Sequence, residues 1–226
     1  MAAIFTAVKA FDVEALRREL AAGVDPDMCE DGPYAPTPLC QAVHYGCAFP
    51  ATRFQERLEC IAVLLEAGAS VDRQCGNGET PLFKAAGVES PTWTVVIAAL
   101  LEAGADVNYV GWGGSVLASA AKCGTAGAVR MLISAGAGDL DRALKFAIAN
   151  GKQRSCTLLL RAGAAIPAAV FDATDRGPPQ TRAYIERIRA AGGYKAYEKA
   201  HRQRLVAMFL AKFPTLPVEM LERVLE

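Results

Sequence analysis

The block Leu100-Leu101-Glu102-Ala103-Gly104-Ala105-Asp106-Val107-Asn108 constrains the fold more than any other stretch, because it recurs. Leu64-Leu65-Glu66-Ala67-Gly68-Ala69-Ser70-Val71-Asp72 precedes it, and Leu132-Ile133-Ser134-Ala135-Gly136-Ala137 and Leu159-Leu160-Arg161-Ala162-Gly163-Ala164 follow. Near the start, Glu19-Leu20-Ala21-Ala22-Gly23-Val24-Asp25 is a blurred copy. The apolar pair predicts the buried side of a helix end. The Gly predicts a left-handed residue just past the last turn, where the missing Cβ removes the steric penalty. The intervals between these glycines are 45, 36, 32 and 27 residues. Units of that size are pairs of short helices. One pair cannot bury its apolar stripe alone, so neighbouring pairs must stack.

Between the blocks run the openings of first helices. Thr37-Pro38-Leu39-Cys40-Gln41-Ala42 and Thr80-Pro81-Leu82-Phe83-Lys84-Ala85-Ala86 each set a capping hydroxyl before a Pro at the first helical position, where its missing N–H costs nothing. Ser115-Val116-Leu117-Ala118-Ser119-Ala120-Ala121 loses the Pro and keeps a capping hydroxyl, and Leu144-Lys145-Phe146-Ala147-Ile148-Ala149-Asn150-Gly151 preserves the helix pattern in the fifth unit. Asp31-Gly32-Pro33-Tyr34, Asn77-Gly78-Glu79 and Gly111-Trp112-Gly113-Gly114 read as projecting turns. The first unit, helices over 2–10 and 12–22, is incomplete and acidic outside, as suits a solubilising cap. Residues 47–56 interrupt the second unit and are expected to form a loop outside the stack, carrying Phe49, Pro50 and Phe54. A degenerate sixth unit ends at Gly192-Gly193. Beyond it 194–213 reads as a longer amphipathic helix with Leu205, Phe209 and Phe213 four apart, and 218–226 as another helix.

These units resemble ankyrin repeats. Gly78-Glu79-Thr80-Pro81-Leu82 followed by the 100–108 block carries the likeness most sharply, and residues 2–193 can be laid out in that register. The expected fold is therefore all-α: an ankyrin-repeat solenoid of about five to six helix-turn-helix units with projecting turns, plus C-terminal helices. Residues 1–193 form the expected repeat domain and 194–226 a helical extension of capping helices. The resemblance implies a non-catalytic module binding another protein on its concave face. Cys40, Phe83 and Ala118 stand where the family usually places His, so its Thr–His hydrogen bond is not expected here. A partner in the concavity would meet Tyr34, Arg73, Asn77, Phe83, Tyr109 and Trp112, from three consecutive units. Trp112 between glycines stands out, because Trp is enriched among residues that dominate interface energetics. The segment from Leu205 to Leu210, with Phe213-Pro214-Thr215-Leu216-Pro217, is faintly similar to a SOCS box. That likeness implies the alternative role of substrate-recognition adaptor of a ubiquitin ligase.

Other chemistry has little in its favour. The two histidines, His44 and His201, lie far apart, no phosphate-binding Gly-rich loop occurs, and Gly113-Gly114-Ser115-Val116-Leu117 lacks the closing Gly of a nucleophile elbow. Cys40, His44 and Cys47, with Cys29 or Cys75, contain the ligand types of a zinc site, but no Cys-x-x-Cys pair supports it. No enzyme activity, metal or cofactor is expected. Seven cysteines, several at apolar helical positions, suit reduced thiols in a cytoplasmic or nuclear chain. No basic leader or apolar run of membrane length is present in the sequence, and no membrane association is expected. The formal charge is zero, so no nucleic-acid partner is expected either, and the chain is read as a monomer. Charge is nevertheless polarised: residues 12–31 balance to −5 and residues 182–212 to +6.

Overall fold

The computed structural model describes residues 3–30, 36–43, 53–75, 78–123, 125–166 and 177–212. Twelve helices and one minimal hairpin make up the regular structure of those residues. In chain order the helices are α1 (Ala3–Ala10), α2 (Val13–Ala21), α3 (Pro38–Val43), α4 (Phe54–Glu66), α5 (Pro81–Ala86) and α6 (Trp93–Glu102). After the strands β1 (Val110–Gly111) and β2 (Gly114–Ser115) come α7 (Val116–Cys123), α8 (Ala126–Ser134), α9 (Leu140–Ala149), α10 (Gln153–Arg161), α11 (Pro179–Ala190) and α12 (Tyr194–Lys212).

The helices form two layers. First helices pack in sequence, α1 on α3, α3 on α5, α5 on α7 and α7 on α9, and second helices follow suit, α2 on α4, α6 on α8 and α8 on α10. The inner layer is close because its contact residues are small: Ala42, Ala85, Ala86, Ala120, Ala121, Ala143 and Ala147 are all buried. Leu64, Leu100, Leu132 and Leu159 supply the larger side chains, one from each later block, with Leu16 from α2, and each is fully buried. One contiguous core results, running from Ile4 to Ile188.

The helix ends follow the expected chemistry. Gly68, Gly104, Gly136 and Gly163 adopt φ of +85°, +88°, +91° and +103°, the left-handed C-terminal stop. At the other ends, Thr37 Oγ1 accepts from Cys40 N, Thr80 Oγ1 from Phe83 N (both 3.2 Å) and Ser115 Oγ from Ala118 N (3.1 Å). Ser115 thus does the work of the Thr it replaces, without the Pro.

A second set of bonds stitches units together. Asp27 Oδ1 accepts from Ser70 N at 2.9 Å, the Asp72 carboxylate from Asp106 N at 3.1 Å, Asn108 Oδ1 from Gly138 N at 2.9 Å and Asp141 Oδ1 from Ala165 N at 2.7 Å. Each donor lies two residues past the Gly that ends its unit. Asp72 and Asn108, which close their sequence blocks, and Asp27 and Asp141, which lie just beyond theirs, are therefore joints, which their position in the sequence did not disclose.

Two expectations need correction. Phe54, Gln55 and Glu56 are not loop residues but the first turn of α4. The Phe54 ring meets Trp93 edge-on, centroids 6.4 Å apart, and packs against the core. The remainder of the insertion, with Phe49 and Pro50, lies outside the described residues. The cysteines are also not all reduced: Cys40 on α3 is bonded to Cys75, which precedes α5, and the bridge spans 35 positions of sequence. Cys60 and Cys156 remain free and buried.

Candidate functional site

The hairpin between units three and four lies against the first helices, Gly113 facing Phe83 of α5 and Gly114 facing Ala118 of α7. β1 and β2 pair antiparallel, Val110 opposite Ser115 and Gly111 opposite Gly114, leaving Trp112 and Gly113 as a two-residue tip. Glycines let it lie flat against its neighbours: a Cβ on Gly113 would stand 3.0 Å from Phe83 Cζ, and one on Gly111 3.2 Å from the Gly78 carbonyl oxygen. The Tyr109 hydroxyl donates to that same carbonyl. Its ring meets Phe83 at 84°, centroids 6.5 Å apart. Burial, and secondarily the Glu79 charge, raise the Tyr109 pKa, so the phenol stays a neutral donor.

Phe83 and Tyr109 therefore build a platform beneath the hairpin. Phe83 is buried and Tyr109 half-buried, so the platform offers a partner only Tyr109's remaining edge. Trp112 is different: it is 95% exposed, with only its Nε1 edge near the preceding turn, 3.4 Å from where a Gly78 Cβ would stand. Val110, 59% exposed, extends the apolar tip. Arg73 is exposed at the base of the turn before α5. Tyr34 and Asn77 lie outside the described residues. Of the six residues read from sequence, Phe83, Tyr109 and Trp112 are thus brought together.

Sequence reasoning missed Arg142. Its guanidinium lies against the hairpin from the other side, Nη2 3.7 Å and Cζ 3.8 Å from where a Gly114 Cβ would stand. The available signal was its place, just before Ala143-Leu144, in register with Thr80 and Ser115. The shortened turn of that unit hid it.

Among the described residues no group of three His, Cys, Asp or Glu side chains is arranged to hold a metal ion. His44 and Cys47 fall outside those residues, while the Cys40 sulfur is engaged with Cys75. No helix among them is long and apolar enough to cross a membrane. α12 docks on α10 and α11: Glu198 accepts from Arg161 Nε at 3.0 Å, and Tyr197 meets Tyr184 edge-on at 5.8 Å. In its second half Met208 and Phe209 are exposed while Leu205, Val206 and Leu210 are half-buried, and residues 213–226, needed for the SOCS-box likeness, lie outside the described residues.

Stacked antiparallel helix pairs, left-handed Gly stops and a turn projecting over the first-helix layer define an all-α repeat solenoid. Residues 48–142 match the family model described as ankyrin repeats, three copies, and over that stretch the chain carries these repeats. Proteins of that family are typically non-catalytic modules for protein–protein interaction. No curated protein matches the chain.

Proposed function

We propose that the chain binds a partner protein on its concave face, with Trp112 as the principal contact, and that it does so without catalysis. The observation that carries this reading is an indole almost wholly in solvent at the tip of a hairpin that buried aromatics hold in place. Leaving so large an apolar surface wet has no folding benefit, and burying it against a partner releases that water. On this reading residues 1–193 are the binding domain. The 194–226 extension is its cap, because α12 covers the end of α10 and α11 while its basic side faces solvent.

The test is quantitative affinity capture with the intact chain, wild type against Trp112→Ala. The substitution should weaken recovery of the specific partner about tenfold, on the order of 1.4 kcal/mol, because exposed aromatics at interface centres carry such energies. Its urea midpoint should equal that of wild type, since the ring touches little of its own chain. Unchanged recovery with unchanged midpoint would sink the reading.

A further inference from the structure

We infer that the segment this face accepts is acidic, with an apolar side chain for the indole; the inference rests on the concave-face reading above. The hairpin tip supplies the apolar part through Val110 and Trp112, which are 59% and 95% exposed. The surroundings are cationic. Arg142 abuts the hairpin at Gly114, and Lys145 stands one position further along α9 than Leu144, in register with Phe83 and Ala118 of the earlier inner helices. Arg73 is exposed in the turn whose Gly78 supports Tyr109 and neighbours the indole.

These three cations differ from the two paired lysines of the inner helices and the turn after them. Lys84 is held by Glu79 at 3.0 Å and Lys152 by Glu89 at 2.8 Å, whereas none of Arg73, Arg142 and Lys145 has a carboxylate partner among the described residues. The neighbouring Asp141 forms no ion pair with them: its Oδ1 accepts the Ala165 N–H at 2.7 Å as a joint between units. The chain as a whole is neutral, so the exposure of these cations beside the tip is a matter of placement rather than composition. Guanidinium groups with no carboxylate partner among the described residues, near an exposed indole, match carboxylates flanking an apolar residue. Arg can grip a carboxylate through two parallel N–H bonds, and the indole adds apolar area at low rotamer cost. A single-stranded nucleic acid fits less well. It would call for a row of stacking aromatics and a continuous basic groove, and among the described residues Trp112 is the one free ring at the hairpin.

The test pans a phage-displayed library of short random peptides against the immobilised full-length chain, in parallel on wild type, Trp112→Ala, and the double variant Arg142→Gln, Lys145→Gln. All three substituted positions are exposed, and circular dichroism checks that each variant folds. Wild type should enrich net-acidic peptides carrying an aromatic or aliphatic residue, and both variants should lose that enrichment. The best peptide, synthesised with Asp and Glu changed to Asn and Gln, should bind about tenfold more weakly, and its binding should fall as salt rises. Neutral or basic peptides enriched in a Trp112-dependent way overturn the acidic specificity while leaving the concave-face reading intact. Enrichment indifferent to Trp112, or none, overturns both. Displacement of the peptide by polyuridylate at lower concentration than by polyglutamate makes nucleic acid the occupant and also overturns the inference.

Discussion

Arg57 shows how much one side chain can join in this stack. It is only 6% exposed, and its guanidinium lies 4.7 Å from the Phe11 ring centroid and 5.2 Å from that of Trp93, so one cation bridges aromatics of the first and third units. Arg57→Met keeps an apolar stem and removes the charge; the expected cost is about 1–2 kcal/mol, read as a lower urea midpoint, because partly desolvated cation–π contacts reach that range. Leu100 is fully buried between units, and Leu100→Ala should cost about 2–5 kcal/mol by the same measurement. The thiols add a pH dependence. Burial pushes the Cys156 thiol up to about 12 and that of Cys60 to about 11, from an ordinary value of 9.0. The folded state then holds protons that the unfolded chain releases, so the stability they contribute is present below pH 9 and is lost as pH rises towards 12. Cys156→Ala should flatten that alkaline decline in urea titrations at successive pH values. Trp93, read as core or outer surface, proves to be core at 3% exposure. Phe54 misled because no capping side chain marks the start of α4: Arg53 stands at the N-cap without a side-chain bond, so spacing alone could not separate loop from first turn.

At the scale of elements, the recurrent blocks made the second helices and their stops legible, since an apolar pair followed by Gly is a local signal. The hairpin was legible only as a turn. Two-residue strands in a Gly-rich stretch have no alternation of side chains to read, and their pairing depends on Gly78 and Phe83 some thirty positions away. Gly104 sits at φ +88° with open space around its absent Cβ, so Gly104→Ala is a test of backbone strain alone. It should destabilise by about 1 kcal/mol in denaturant titration, as expected for Ala forced into the left-handed region.

Over the whole molecule, stability is distributed rather than central, because helices touch mainly the pairs before and after them. The Cys40–Cys75 bridge is the exception, a covalent tie between units two and three. It was not legible, because bridging depends on two Cα atoms meeting within about 7 Å, and no local pattern reports that. With 35 positions enclosed, reduction should lower stability by about 2–4 kcal/mol. A urea titration with and without dithiothreitol, repeated on Cys75→Ser, checks it. The candidate site was half legible: the turn's Trp is visible in the sequence, whereas Arg142 emerges only when the fifth unit folds against the fourth.

The joints formed by Asp27, Asp72, Asn108 and Asp141 also explain how a chain with intervals as unequal as 45 and 27 residues keeps its register. The donor is always two residues beyond a Gly, and the acceptor four or five beyond the preceding one, so length is held constant only across that short span. Everything between successive joints is free to lengthen or shrink. Insertions accumulating there over evolutionary time would remodel the outer surface while leaving the stacking order untouched. A single residue added between Gly104 and Asn108 would do the reverse, unhooking Gly138 and letting two well-formed units drift apart.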